Sequence, residues 1–76
     1  MNDKKRKLLK EASIYLERAS GMVSKVLDEE QDCLDNMPEN LQNSEKYERI
    51  EEAIDKLENA IEYIDDAKEN IDEASG

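Results

Sequence analysis

The chain has 76 residues, of which 42% are charged, and its formal net charge at pH 7 is −10. A chain of this length forms one small domain at most, and this share of charged residues is typical of long solvated helices rather than of a compact α/β domain. The negative charge disfavours binding to nucleic acid or to a membrane surface and favours protein partners with a basic surface.

Cysteine content and hydropathy indicate the cellular setting. The single cysteine cannot form an internal disulfide, and no apolar run approaches the roughly 20 residues of a membrane span. The basic segment at residues 1–7 is not followed by a continuous apolar segment, so it does not read as a signal peptide. We therefore expect a cytoplasmic protein.

The first element is a helix predicted over about residues 3–35. Its apolar residues recur at alternating spacings of three and four, which are the a and d positions of a heptad repeat. Two flanking sets widen the stripe to about 160° at 100° per residue. The a and d series consists of Leu9, Ala12, Leu16, Ala19, Val23, Val26, Glu30 and Cys33, and the flanking residues are Leu8, Tyr15, Met22, Leu27 and Leu34.

A turn is predicted at about residues 36–44. Pro38 disfavours helical backbone at the residue before it. Ser44 is a favourable N-cap for a following helix, and Glu45 then lies in the first turn, where the helix dipole favours an acid. The residues between Pro38 and Ser44 are expected to add one helical turn of their own.

The second element is a helix predicted over about residues 45–74. A seven-residue unit repeats here at 51–57, 58–64 and 65–71. A repeat of this period places an apolar pair on one narrow stripe of a helix. That stripe contains Ile54, Leu57, Ile61, Ile64 and Ile71, and a parallel column contains Ala53, Ala60, Ala67 and Ala74.

The expected fold is all-α: a single domain over residues 1–76, folded as an antiparallel, coiled-coil-like two-helix hairpin. The register that centres the turn near residue 40 pairs Val26 with Ile54 and Cys33 with Tyr47. It also brings the basic start of the first helix beside the acidic end of the second, where we expect cross-helix attraction. The predicted core consists of Leu16, Val23, Val26, Ile54, Leu57, Ile61 and Ile64.

Two helices cannot cover a stripe as wide as that of the first helix. The alanine column forms a second apolar edge on the other helix, where small residues permit close approach of a further helix. A homodimeric four-helix bundle is the simplest way to bury both surfaces. A monomeric hairpin and a higher oligomer remain as alternatives.

Enzymatic activity is not expected. The chain has no histidine, which removes the most common general base and transition-metal ligand. It has neither a glycine-rich phosphate loop nor a nucleophile elbow. The acidic run Asp28-Glu29-Glu30 lies in a helix without the glycine turn of a calcium loop. We therefore predict no catalytic residue, no cofactor and no metal site.

The most distinctive surface is an acidic stripe on the second helix, termed here the acidic face. Its carboxylates lie within about 100° of the helical wheel, at roughly one charge per 3.5 Å of helix, which is close to the ~3.4 Å phosphate spacing of one DNA strand. The face consists of Glu48, Glu51, Glu52, Asp55, Glu58, Glu62, Asp65, Asp66, Glu69, Asp72 and Glu73. Ordinary solubilising charge explains the same pattern.

Ile14 and Gly21 mark a second candidate partner-binding surface. Both lie on the side of the first helix opposite its predicted stripe, where an outward isoleucine next to a glycine gap could receive a partner's side chain. A tolerated surface glycine and a lone exposed isoleucine explain the same two residues.

The segment from Leu34 to Glu48, with Met-Pro-Glu-Asn-Leu-Gln-Asn-Ser at its centre, and the heptads that follow resemble small uncharacterised acidic proteins. Such proteins are encoded by gut-type Firmicutes and by their phages and mobile elements. The resemblance covers about residues 34–74 and brings no catalytic residues. It implies a genomic setting in which small acidic proteins often act on host or defence proteins.

These features favour a non-catalytic protein–protein interaction module that binds a host or viral protein through outward helix faces. The first alternative is an inhibitor that mimics DNA and occupies a basic nucleic-acid site through Glu51, Asp55, Glu58, Glu62, Asp65 and Asp66. The second alternative is a structural component of an assembly, which would form oligomers beyond a dimer.

Overall fold

The computed structural model describes residues 1–76 and contains two long α-helices and no strand. Helix α1 spans Asp3–Asp35 and helix α2 spans Glu45–Ser75, with one turn of 3₁₀-helix at Glu39–Leu41 between them. The helices pack against each other as an antiparallel hairpin that measures 60 × 14 × 13 Å. The predicted all-α class is confirmed. Neither helix has an apolar stretch long enough to cross a membrane.

Polar side chains cap the first turn of each helix. The Ser44 hydroxyl accepts a hydrogen bond from the Tyr47 amide at 3.2 Å, as its predicted role as N-cap requires. The Asn2 side chain does the same for α1 and accepts from the Lys5 amide at 2.8 Å. Each cap satisfies an amide that has no partner inside its helix, which fixes where the helices begin.

The contact between the helices follows one heptad stripe on each, termed the inner seam. All of its residues are half-buried except Ile50, which is buried. Spacings of four and three alternate without interruption on both helices. The inner seam consists of Leu9, Ser13, Leu16, Ser20, Val23, Leu27, Glu30 and Leu34 on α1, and of Ile50, Ile54, Leu57, Ile61, Ile64, Lys68, Ile71 and Ser75 on α2.

Val26 and Cys33 lie outside the inner seam, and their predicted places in it are wrong. Val26 is 46% exposed and Cys33 is exposed, so neither is buried between the helices opposite Ile54 or Tyr47 as expected. The physical reason lies one residue further along α1. Turning the helix to bury Leu27 and Leu34 removes more apolar surface from water than burying a valine and a cysteine.

The ends of the hairpin are joined by hydrogen bonds rather than by the expected attraction between carboxylates and bases. Arg6 Nε donates to the Ser75 carbonyl at 3.1 Å, and the Ser13 hydroxyl donates to Asp72 Oδ1 at 3.0 Å. The two ion pairs in the molecule, Arg6–Asp3 and Arg49–Glu45, each lie within one helix. Arg6 places its positive charge at the negative C-terminal end of α2, where the helix dipole favours a cation.

The hairpin buries little of itself. Ile50 is the only buried residue of the 76, at 9% exposure. The accessible surface is 6007 Å², whereas a compact monomer of 8.8 kDa exposes about 4,800 Å² by the usual scaling of surface with mass. The excess of about 1,200 Å² reflects the elongated shape and leaves a large apolar area in contact with water.

Candidate protein-interaction surface

Helix α1 carries a second heptad stripe one residue before its inner seam. This stripe is also spaced by four and three, and it is apolar at every position except Glu29. Its large side chains are among the most exposed hydrophobic ones in the molecule: Leu8 is 68% exposed, Tyr15 57% and Met22 66%. The stripe consists of Leu8, Ala12, Tyr15, Ala19, Met22, Val26, Glu29 and Cys33.

Helix α2 carries a matching stripe, also one residue before its inner seam. Every second position is alanine, and the positions between contain Tyr63, which is 70% exposed, and two bases. The stripe consists of Arg49, Ala53, Lys56, Ala60, Tyr63, Ala67, Asn70 and Ala74. It is therefore a shallow surface of small side chains with one aromatic ring standing above it.

The two stripes lie on the same side of the hairpin. One residue back along an α-helix is a rotation of about 100°. Because α2 runs in the opposite direction to α1, the same step turns the opposite way when both helices are viewed from one end of the hairpin. The inner seam of α2 also points toward α1, opposite to the direction in which the inner seam of α1 points. The two reversals cancel, so both stripes form one continuous surface, termed here the apolar face.

The acidic face lies on the other side. Eight of its eleven carboxylates occupy positions about 100° beyond the inner seam in the direction away from the apolar face. All eleven are exposed, and none is within 4.0 Å of a basic group. Among the predicted partner-binding residues, Glu51, Asp55, Glu58, Glu62 and Asp65 lie on this side, whereas Asp66 lies further round, on the back of α2.

Ile14 and Gly21 lie on the acidic side of the hairpin, on α1. Ile14 is 50% exposed, and a Cβ added at Gly21 would meet no atom within 4 Å. The gap at Gly21 is therefore open on all sides and is not shaped by neighbouring side chains.

Tyr15 is a titratable group on the apolar face, and its hydroxyl has a carboxylate neighbour. Its hydroxyl donates to Glu11 Oε1 at 3.1 Å. This hydrogen bond, together with the negative charge of the Glu11 carboxylate, raises the pKa of Tyr15 above 10.0 because both disfavour the phenolate.

The arrangement of side chains offers a surface for binding. The structure contains no group of three or more Cys, Asp or Glu side chains placed to hold a metal ion. No buried side-chain nitrogen or oxygen lacks a hydrogen-bond partner. The features that distinguish the molecule are its two sides, one apolar and one acidic.

Sequence reasoning recognised the parts of the apolar face without joining them. Leu8, Tyr15 and Met22 were read as a widening of one stripe, and the alanine column as a separate edge. Both stripes lie one residue before the inner seam of their own helix, and this shared position indicates that they form one surface. It can be recognised only when the inner seam of α1 is known.

Comparison of the chain with protein-family models, with curated proteins and with solved structures found no match.

Proposed function

We propose that the chain is a non-catalytic protein–protein interaction module that pairs with a second copy of itself through the apolar face. The single observation that carries this proposal is the exposure of Leu8, Tyr15, Met22 and Tyr63 on one continuous side of a hairpin that buries only Ile50. An exposed apolar surface of this extent, next to a strongly charged one, is typical of an interaction site.

The exposed surface area of the hairpin is large enough for a dimer interface. The hairpin exposes about 1,200 Å² more than a compact monomer of its mass, and a standard interface buries about 800 Å² per partner. A second copy placed on the apolar face gives a four-helix bundle in which both wide stripes are covered. It leaves the acidic faces of both copies on the outside.

Analytical ultracentrifugation at micromolar concentration tests the proposal. We expect twice the 8.8 kDa mass of one chain for the unaltered protein and for Ile14→Asp. We expect the mass of one chain for Met22→Asp, because an unpaired carboxylate buried in an apolar interface weakens dimerisation by about 100-fold or more.

Ile14 is the matched control because it is an exposed apolar residue on the same helix, on the acidic side. A mass near that of one chain for the unaltered protein contradicts the proposal. So does an equal loss of dimer in both variants.

The acidic face supports a second candidate function, the binding of a basic partner protein, with mimicry of DNA as its most specific form. Its carboxylates are exposed and free of ion pairs, and they remain on the outside of the proposed dimer. Their roughly 3.5 Å spacing is near that of DNA phosphates. The setting in phages or mobile elements belongs to this candidate, since defence proteins with basic grooves are its natural targets.

Charge reversal and salt test the second candidate. For a partner recovered from the native host, mimicry predicts competition with DNA, steep loss of binding with added salt, and loss of binding when Asp55, Glu58 and Glu62 are changed to Lys. Binding that survives these reversals and fails in Ile14→Asp would instead locate the contact at Ile14 and Gly21.

A further inference from the structure

We propose that the two hairpins of the dimer lie with their turns at the same end, so that α1 of each copy packs antiparallel on α2 of the other. This inference rests on the proposed self-association. It specifies the partner surface, because a two-fold axis allows only two ways to place two apolar faces together. The other way puts the turns at opposite ends and stacks α1 on α1 and α2 on α2.

Side-chain size favours the same-end arrangement. In this arrangement, each residue of the α1 stripe faces a residue of the other copy's α2 stripe. The facing residue is the one that lies at the same height along the hairpin. The hydrogen bonds of Arg6 to Ser75 and of Ser13 to Asp72 bracket that level. Leu8 then faces Ala74, a pair that lies between those two bonds. One and two heptads further on, Tyr15 faces Ala67 and Met22 faces Ala60.

Between Tyr15 and Met22 the order of sizes is reversed, so that the small side chain belongs to α1 and the large one to α2. Ala19, halfway between Tyr15 and Met22, faces Tyr63, the most exposed large hydrophobic residue of α2. Large side chains of each helix therefore fall on small ones of its partner at four levels. This alternation allows interdigitation at one uniform separation of the helices.

The opposite-end arrangement mismatches the same residues. With full overlap of the two hairpins, Tyr15 comes close to Met22 on the α1 pair, and Ala60 comes close to Ala67 on the α2 pair. Large side chains then meet large ones, since Tyr63 also comes beside its own copy, while the alanines between them meet alanines, and the two kinds of contact need different separations of the helices. One bundle cannot satisfy both without a void.

Charge favours the same-end arrangement as well. Glu29 is the one acid in the α1 stripe, and it falls opposite Ala53 of the partner, between Arg49 and Lys56, which are the two bases of the α2 stripe. The outer edge of α2 beside the apolar face carries Glu45, Glu52, Asp66 and Glu73. The opposite-end arrangement faces this edge with its own copy, and like charges at close range repel.

A spin label in the turn distinguishes the two arrangements. In a Cys33→Ser background, Asn43→Cys provides a single exposed attachment site in the turn, outside the apolar face. For the same-end dimer, pulsed electron paramagnetic resonance should report one distance between labels on the order of 20 Å, about the width of two packed helices with side chains. A distance near the 60 Å length of the hairpin overturns the inference and leaves self-association intact. The absence of any intermolecular distance overturns both.

Cross-linking between two different single-cysteine chains provides a second measurement. In the Cys33→Ser background, we expect a short thiol cross-linker to join Met22→Cys chains to Ala60→Cys chains when the two are mixed, and neither variant to itself. The matched control is Ala19→Cys, which lies near the middle of α1. Efficient cross-linking of Ala19→Cys to itself contradicts the same-end arrangement, because only stacking of α1 on α1 brings that position beside its own copy.

Discussion

The apolar face and the acidic face lie on opposite sides of the same two helices. They differ in whether the surface exists in one helix alone or only when the two helices are paired. The acidic face is fixed by the heptad of α2 alone, because carboxylates recur at the same two outer positions of every repeat. The apolar face exists only when α1 and α2 are paired in one register. A repeat therefore generates a charged surface whether or not anything binds it, whereas a joint apolar surface depends on both helices.

The largest effect is expected from placing a charge on the α2 half of the apolar face. In the proposed dimer, Ala60→Glu replaces a methyl group opposite Met22 of the other copy with a longer, charged side chain that must leave water, and we expect the dimer dissociation constant to rise by about 100-fold or more. Sedimentation equilibrium over a range of concentrations measures this constant.

Glu62→Ala is the matched control for Ala60→Glu, since it removes a charge from the acidic side of the same helix. It should leave the constant unchanged or lower it slightly, because the net charge of −10 per chain decreases in magnitude. If both variants dissociated the dimer alike, the two sides of the hairpin would not differ in function.

The next effect is that of salt. Two chains of net charge −10 repel each other, and salt screens this repulsion over about 8–10 Å at 0.1–0.15 M. Dimerisation through the apolar face should therefore tighten, by roughly several-fold, between low and moderate salt. Binding of a basic partner to the acidic face should weaken over the same range. A dimer that dissociates as salt is added would contradict pairing through the apolar face.

Gly21→Ala should have a smaller effect, confined to helix stability. Gly21 lies in the interior of α1, and a methyl group there meets no atom within 4 Å. We expect the free energy of unfolding to rise by about 0.8–1.0 kcal/mol per chain from helix propensity alone, measured by urea denaturation at fixed protein concentration. Ala19→Gly, two residues away on the apolar face, should lose a similar amount and also weaken the dimer. Loss of partner binding in Gly21→Ala would show that the gap itself is used.

The smallest effect concerns Tyr15. Its folded-state pKa is raised by the hydrogen bond to Glu11 and by the negative charge of that carboxylate. The contact therefore contributes stability that is fully present below pH 10 and is lost as the pH rises through the folded-state pKa. The ultraviolet absorbance change that is lost in Tyr15→Phe should titrate above pH 10, and Glu11→Gln should shift it downward. Burial of the ring in a dimer raises the pKa further, so a titration midpoint that does not change with protein concentration would count against a contact at Tyr15.

The fold followed from the sequence because its signals are local. Pro38 and Ser44 mark the break between the helices, and heptad spacing marks both helices, so the structure has them at Asp3–Asp35 and Glu45–Ser75 where about 3–35 and 45–74 were expected. The orientation of α1 did not follow, because two stripes one residue apart satisfy the same heptad pattern. Ser13 and Ser20 face α2 in place of Ala12 and Ala19, since the choice is decided further along by Leu27 and Leu34.

The expected attraction between the helix ends is a second case in which the sequence did not indicate the contacts. Net charge along the sequence correctly indicates that bases and acids meet at one end, but it does not indicate which atoms pair. Arg6 is satisfied by the Ser75 carbonyl and by Asp3 of its own helix, and the lysines of the same turn remain in solvent. Surface ion pairs contribute little when solvated, so geometry rather than charge count decides the contacts.

The burial of Ile50 alone has a consequence for the lifetime of the protein. A hairpin with so small an interior has little folding free energy of its own, and in the proposed dimer the association of two copies supplies the rest. For such a chain, stability cannot be separated from protomer concentration. Its melting temperature should rise with its abundance, and dilution should expose the backbone to proteolysis. The amount of the protein would then regulate its own persistence: scarce chains are degraded and abundant ones survive.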